Sequence, residues 1–298
     1  MKAASLLSII LLLITSCGDE VVEKPKLKTE LKPLEYIPSE FQFVAMVDMN
    51  EAMQIPGISD RLRYEAKRKP SLQLVPIDEV KELYLAADSG EDTENKGGVY
   101  IAVLKKNIEL KNVINKYKEK FKKDKDVIVS TKEFRNQHIF TIRDKKQELA
   151  FCQLSVNAII SGPLDKVLQS LQAGENNISK SESLKKLMKI NPEHCIKIYL
   201  LSSDKLGTLL QQLKFFDQLV LSAKGTQKGG FISLTSICKD KATAEKARGA
   251  LQLAQFALQF KIGKYTNSGD LLIKLEDNTT TGTADLSSEA LKELLIKK

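Results

Sequence analysis

The sequence predicts an α+β protein made by tandem duplication of a β-α-β-β-α-β type unit, with antiparallel sheets and helices packed on one face of each sheet. Three observations predict this fold. Short apolar stretches of strand length alternate with stretches whose apolar residues recur at helical spacing. The same order of elements occurs twice along the chain, in residues 38–172 and 192–298. Each copy also has a Gly-Gly pair before a strand, Gly97-Gly98 and Gly229-Gly230.

The first copy begins with a buried strand at Pro38–Asp48. A helical stretch follows from about Asn50, is interrupted by Pro56-Gly57 and resumes through Arg68. Strands are then predicted at Val80–Asp88 and Val99–Val103. An amphipathic helix follows, because its apolar residues fall on one helical face. These residues are Leu110, Val113, Ile114, Tyr117 and Phe121. A strand at His138–Arg143 and a short helix around Leu164–Leu171 complete the copy.

The second copy repeats this order. Strands are predicted near 192–202, 216–224, Phe231–Ile237 and Leu271–Glu276. Its long helix has apolar residues at Ala247, Ala250, Leu251, Ala254 and Leu258, and a short leucine-rich helix contains Leu291, Leu294 and Leu295. Residues 173–191 connect the two copies. The order of elements resembles a ferredoxin-like arrangement with extra strands, and this resemblance concerns the fold alone.

The first residues predict export from the cytoplasm. Lys2 precedes an apolar run, Ser5–Leu13, that is too short to span a bilayer, so residues 1–16 are predicted to be a signal peptide. The sequence Ile14-Thr15-Ser16-Cys17 resembles the lipobox of bacterial lipoproteins. The resemblance covers only this signal, and it implies that Cys17 becomes the first mature residue and carries lipid. An ordinary secretory signal with Cys17 near the cut is the alternative.

The location of the protein is predicted from the residues around Cys17. Lipid on Cys17 would hold the chain on a bilayer in a bacterial envelope. Residues 17–37 contain Pro25 and Pro33 and many charges, which predicts a tether between lipid and folded body. Gly18 after the cysteine favours the outer over the inner membrane in a cell that has both. A periplasmic or a surface-facing body remains open.

The charge of +8 predicts loose attraction to anionic surfaces, including a membrane surface or an envelope polymer. The candidate contacts belong to a lysine-rich stretch and are Lys111, Lys118, Lys122 and Lys123. The alternative is that these lysines simply form the solvated face of the amphipathic helix. Aromatic residues make up only 6% of the chain and tryptophan is absent, which argues against sugar binding and specific nucleic-acid binding.

No catalytic, cofactor or metal motif occurs in the sequence. Cys152, Cys195 and Cys238 lie in apolar, strand-like contexts and are predicted to be buried, although a disulfide between two of them stays open. His138 is predicted to be exposed at a hairpin, and His194 to precede a strand. The Gly-Gly pairs are interpreted as hairpin residues with positive φ. The acidic loop 88–95 is interpreted as a solvated turn rather than a weak Ca²⁺ site.

These observations predict a membrane-anchored envelope lipoprotein with a non-enzymatic binding or structural role. Its envelope partner cannot be named from the sequence. Two alternatives remain. One is an exported hydrolase with an unrecognised site, and the other is a lipoprotein that binds a small apolar or lipidic ligand.

Overall fold

The computed structural model describes residues 31–60, 77–87, 98–120, 128–143, 148–202, 216–262 and 271–296. The strands are β1 (Phe43–Asp48), β2 (Val80–Ala87), β3 (Gly98–Leu104), β4 (Ile128–Phe134), β5 (Gln137–Arg143), β6 (Glu148–Ser155), β7 (Ala158–Gly162), β8 (Ile196–Leu200), β9 (Gln218–Thr226), β10 (Gly229–Ile237), β11 (Leu271–Glu276) and β12 (Thr279–Ser287). The α-helices are α1 (Met49–Ala52), α2 (Leu110–Lys120), α3 (Leu164–Gln172), α4 (Glu182–Leu187), α5 (Lys241–Ile262) and α6 (Ser288–Ile296). Short 3₁₀ turns occur at Pro33–Tyr36, Ile77–Glu79 and Ile178–Lys180.

The strands form one twelve-stranded sheet, in the order β11-β12-β10-β9-β8-β1-β2-β3-β7-β6-β5-β4. The described residues divide into two compact units: those between 31 and 39, 77 and 86, and 98 and 179 form the first, and those between 40 and 60 and between 180 and 296, with residue 87, form the second. Among the described strands, β2 to β7 belong to the first unit, and β1 with β8 to β12 belong to the second. No helix in the described ranges combines the length and the apolar character needed to cross a membrane.

The predicted tandem of ferredoxin-like α+β units is wrong, because the strands belong to one large antiparallel sheet. β1, which the sequence assigned to the first copy, pairs antiparallel with β8, with Val44 opposite Tyr199 and Val47 opposite Ile196. A hydrophobic pattern predicts that a segment is a strand but does not say which strand lies beside it. Four strands, β4, β6, β7 and β12, also lie outside the predicted elements, although the context of Cys152 in β6 was interpreted as strand-like.

The first unit has its core on β3, β6 and β7. All five residues of β7 are buried, as expected for a strand with neighbours on both sides and side chains covered on both faces. Helix α3 packs on these three strands and buries Val167 completely. Helix α2 contributes Leu110, Val113 and Ile114 to the buried residues, as its apolar spacing predicted.

In the second unit, helices α1, α5 and α6 pack on its strands through two apolar clusters. Ala290 and Leu291 of α6 join Ala52 of α1, and strand residues including Leu286, in one apolar cluster. Ala244 and Ala247 of α5 pack with Phe216 and Cys238 in another. Small alanine side chains bring α5 close to β12, where the Thr280 hydroxyl donates a hydrogen bond to the Ala244 carbonyl over 3.0 Å.

The glycines at the start of β10 have a different role from the predicted one. Gly229 and Gly230 do not have positive φ, whereas Gly57 and Gly174 do. The prediction of a positive-φ hairpin pair is therefore wrong for these two residues and for Gly98, and Gly97 lies outside the described residues. A Cβ on Gly229 would overlap backbone atoms of Leu286, Ser287 and Ser288. Glycine is required here because two backbones approach closely.

Candidate functional site

A buried polar cluster lies where the chain enters β8. The Nδ1 atom of His194 lies 2.8 Å from the Ser222 hydroxyl of β9, and the Asn191 side chain donates a hydrogen bond to the same hydroxyl over 3.1 Å. The His194 side chain is 1% exposed, and Ser222 has no exposed surface. Asn191 has a φ of 48°, a conformation that asparagine tolerates better than most residues. The cluster therefore holds the segment before β8 against β9.

The other side of His194 faces charged and aromatic groups. Its Nε2 atom lies 3.5 Å from Oε1 of Glu193, and the same oxygen lies 3.2 Å from Nζ of Lys224. The ring of Phe231 packs edge-on against the imidazole, with 5.6 Å between ring centroids. Burial lowers the pKa of His194 below its ordinary value, although Glu193 opposes that shift. The neutral imidazole is thus the form that fits the fold.

The cluster resembles a catalytic triad, with a carboxylate (Glu193), an imidazole (His194) and a hydroxyl (Ser222) in the order acid, base and nucleophile. A nucleophilic hydroxyl must meet its substrate, however, and Ser222 is fully buried in the middle of β9 with its oxygen engaged by two neighbours. Glu193 is also paired with Lys224 at the surface. The arrangement supports a structural role and not hydrolysis.

We expect the stability of the protein to fall as the pH drops from about 7.5 to about 5.5. The unfolded chain takes up a proton on His194 near its ordinary pKa, whereas the folded chain does so only at lower pH. The unfolded state therefore binds more protons in this range, and stability is lost as pH falls, by at most ~1.4 kcal/mol per pH unit. Chemical denaturation at several pH values measures the slope. His194→Gln, which keeps a hydrogen-bonding group, should flatten it, and an unchanged slope in that variant would contradict the assignment.

Cys152, Cys195 and Cys238 are buried, as predicted, and all three are free thiols, which answers the question of a disulfide that the sequence left open. Burial raises the pKa of Cys152 to about 12, and burial is also the main reason why the pKa values of Cys195 and Cys238 are raised. A nucleophilic or metal-binding cysteine needs the thiolate, which these sites disfavour. Within the described part of the chain, no three His, Cys, Asp or Glu side chains group as metal ligands would. The acidic loop 88–95 lies outside the described residues.

Helix α5 has a second apolar face that points away from the sheet. Leu253 is 74% exposed and Phe256 is 72% exposed, one helical turn apart. Gly249 lies one turn before Leu253, and a Cβ placed on it would meet no atom within 4 Å. Large apolar side chains this exposed on adjacent turns are typical of a contact surface. We call Gly249, Leu253 and Phe256 the outer face of α5.

Helix α2 presents two of the predicted lysines to solvent. Lys111 and Lys118 are exposed and lie two turns apart on the same side of the helix. Lys122 and Lys123 lie outside the described residues, as does Cys17. The side chain of Gln153 fixes the start of α2: its Oε1 accepts a hydrogen bond from the Leu110 N–H over 3.1 Å, and its Nε2 donates to the Ile108 carbonyl over 2.7 Å.

No family model matches this chain, and no curated protein matches it. Its fold is similar to that of TP0453. The structure of TP0453 in crystal form III has a TM-score of 0.53 and 12% sequence identity, and the match covers 90% of this chain and 99% of that chain. Crystal form I gives a TM-score of 0.51 and 11% identity over 90% of this chain and 98% of that chain. At this identity the likeness to TP0453 shows the fold alone.

The sequence analysis missed the outer face of α5 and the cluster at His194. Gly249, Leu253 and Phe256 are spaced by four and three residues, which is a helical signal, but the inner face of the same helix has a similar pattern. His194 and Ser222 are 28 positions apart, so only the pairing of β8 with β9 brings them together. His138 is exposed just after the turn between β4 and β5, as predicted.

Proposed function

We propose that the protein is a non-enzymatic lipoprotein of a bacterial envelope that binds another envelope component through the outer face of α5. The observation that carries this proposal is the exposure of Leu253 and Phe256, at 74% and 72%, on adjacent turns of one helix. Burying one such side chain is worth about 1.5–3 kcal/mol, so the pair can act as the central anchor of an interface. Gly249 beside them allows a partner to approach the helix backbone.

Membrane attachment through Cys17 completes the proposal. A lipid-anchored chain is confined near a surface, which raises its effective concentration toward partners there. The folded body begins within the predicted tether, because Ile37 is fully buried and its carbonyl accepts a hydrogen bond from the Ile178 N–H over 2.8 Å. The residues between Cys17 and this point can extend over about 3.3 Å each. The likeness to TP0453 is compatible with this role but assigns no partner.

An anionic surface is the second candidate partner. Its support is that Lys111 and Lys118 are exposed on one side of α2. Contacts of this kind depend on charge and weaken as salt screens them, whereas contacts of Leu253 and Phe256 do not. A hydrolase finds no support in the cluster at His194, where Ser222 is fully buried. Binding of a small apolar ligand stays a prediction.

The test is the size of the complexes that the full-length chain forms in its own envelope, measured after mild detergent extraction. We expect Leu253→Ser/Phe256→Ser to lose at least nine-tenths of the complex, because two apolar anchors are removed. The matched control Lys241→Ser/Arg248→Ser changes two exposed polar residues on a different side of the same helix and should keep the complex. Cys17→Ala should move the chain out of the membrane fraction.

The variant Lys111→Glu/Lys118→Glu separates the two candidates. If this variant keeps the complex and Leu253→Ser/Phe256→Ser loses it, the result supports the outer face of α5 as the contact surface. The opposite pattern would assign the contact to the lysines of α2. Circular dichroism and thermal melting of each variant show whether the fold is kept.

A further inference from the structure

Strand β4 is the last strand of the sheet and is exposed on both faces. Ile128 is 56% exposed, and Ser130, Thr131, Lys132 and Glu133 are exposed as well. Its one strand neighbour among the described residues is β5, with Phe134 opposite Gln137 and Ile128 opposite Arg143. The strand contains no proline, glycine or bulge. Edges of this kind can accept another strand.

The hairpin geometry determines which backbone groups of β4 point outward. Arg135 and Asn136 form a two-residue turn, with φ of 50° and 61°, that leaves Phe134 and Gln137 as the closing hydrogen-bonded pair. Hydrogen-bonded pairs alternate with non-hydrogen-bonded pairs along antiparallel strands. The N–H and C=O groups of every second residue therefore point away from β5. These residues are Val129, Thr131 and Glu133.

We propose that the outer edge of β4 pairs antiparallel with β4 of a second copy of this chain, about a two-fold axis at Thr131. An isologous pair must bring outward-facing residues opposite each other. Only a register centred on Thr131 does so while overlapping all seven residues of the strand. In this register Thr131 lies opposite its own copy, Val129 opposite Glu133, Ser130 opposite Lys132, and Ile128 opposite Phe134.

The side chains of β4 are complementary to themselves in this register. Exposed Ile128 gains Phe134 of the other copy as an apolar neighbour at both ends of the pair, and cross-strand pairs of this type stabilise sheets. Lys132 faces Ser130, and Glu133 faces Val129, so no like charges lie directly opposite each other. Charges on an edge strand limit indiscriminate pairing, and here they permit the symmetric register.

The contact is small, so the pairing is expected to be weak in dilute solution. One strand pair of seven residues buries much less than the ~1,200 Å² of a stable interface. The membrane attachment proposed above, on which this step rests, would raise the effective concentration of the copies. Pairing should therefore be measured on the full-length chain in its own membranes.

The test is disulfide crosslinking. Thr131→Cys places two thiols opposite each other at the two-fold axis, within the Cα separation that a disulfide bridges. Glu133→Cys is the matched control, because Glu133 is exposed on the same strand. In the proposed register the two Glu133 positions are displaced by four residues along the strands, so the two thiols would be about 13 Å apart. Mild oxidation should give at least ten times more covalent dimer with Thr131→Cys. Equal yields from both variants, or none from Thr131→Cys, would overturn the proposal.

A second measurement tests the backbone pairing itself. Two differently tagged chains, one with Ser130→Cys and one with Lys132→Cys, should crosslink to each other. Adding Thr131→Pro to both removes the N–H that faces the partner but no hydrogen bond to β5, so the hairpin is retained. Loss of the crosslink with unchanged circular dichroism supports the proposal, and an undiminished crosslink overturns it.

Discussion

Gly229→Ala is expected to lower the free energy of unfolding by about 3 kcal/mol or more. The added Cβ would overlap the Leu286 carbonyl oxygen and the backbone of Ser287 and Ser288, where β12 passes into α6. Backbone atoms cannot move aside as the end of a flexible side chain can. The close pairing of β10 with β12, in which Gly229 lies opposite Ser287, would have to open. Chemical denaturation of the full-length chain measures the loss.

Gly249→Ala is the matched control, with the opposite expected sign. The position lies within α5 and a Cβ there meets nothing within 4 Å. Alanine is favoured over glycine in a helix by about 1 kcal/mol, so this variant should be more stable than the wild type. Equal losses of stability in the two variants would show that the close approach of two backbones at Gly229 is not what destabilises Gly229→Ala.

Gln153→Leu is expected to cost about 3 kcal/mol. The Gln153 side chain accepts from the Leu110 N–H and donates to the carbonyls of Ile108 and Ser155, over 2.7 to 3.1 Å. Leucine fills similar space but leaves three backbone groups without these partners, and each such loss costs about 1–3 kcal/mol when the group is buried. Denaturation measures the cost. Amide exchange at Leu110 should also accelerate, because the start of α2 loses its fixation to β6.

Gln172→Leu is the control for Gln153→Leu, because Gln172 is an exposed residue at the end of α3. A substitution at such a surface position is expected to change stability by less than about 0.5 kcal/mol. If Gln153→Leu had an equally small effect, the three hydrogen bonds would not be what holds α2 in place.

Strands and helices with strong apolar patterns could be predicted from the sequence. The strand at Leu271–Glu276 is confirmed at its predicted bounds, and the helix at Leu164–Gln172 ends one residue beyond its predicted range. Alternating burial along β11 shows why: Leu271 is buried and Leu272 is exposed. The period of two is visible in one segment without knowledge of its neighbours.

Polar strands could not be predicted in the same way. β12 begins Thr279-Thr280-Thr281-Gly282 and has little apolar character, yet Thr280 is fully buried because its hydroxyl is satisfied by the Ala244 carbonyl. β4 is exposed on both faces and so has no apolar alternation. The pairing of β1 with β8 joins residues about 150 positions apart, and a local pattern does not specify contacts of that range.

The candidate site was only partly predictable for the same reason. The spacing of Ala247, Leu251 and Leu258 indicated one apolar face of α5 and accounted for the helix. Leu253 and Phe256 were not part of that face, and only the packing of Ala244 and Ala247 on the sheet shows that they point outward. The prediction that Lys111 and Lys118 contact an anionic surface stays a prediction.

The most direct test of the outer face of α5 is photocrosslinking in intact cells with a photoreactive phenylalanine at position 256. We predict a strong adduct with one envelope component from this position, and little from the same group at Arg248. Arg248 is an exposed residue about two turns earlier in the same helix, and its side chain is rotated by about 80° around the helix axis from position 256. Leu253→Ser should reduce the adduct formed at position 256. Equal adducts at both positions, or none at position 256, would contradict the claim that this face is the contact surface of the protein.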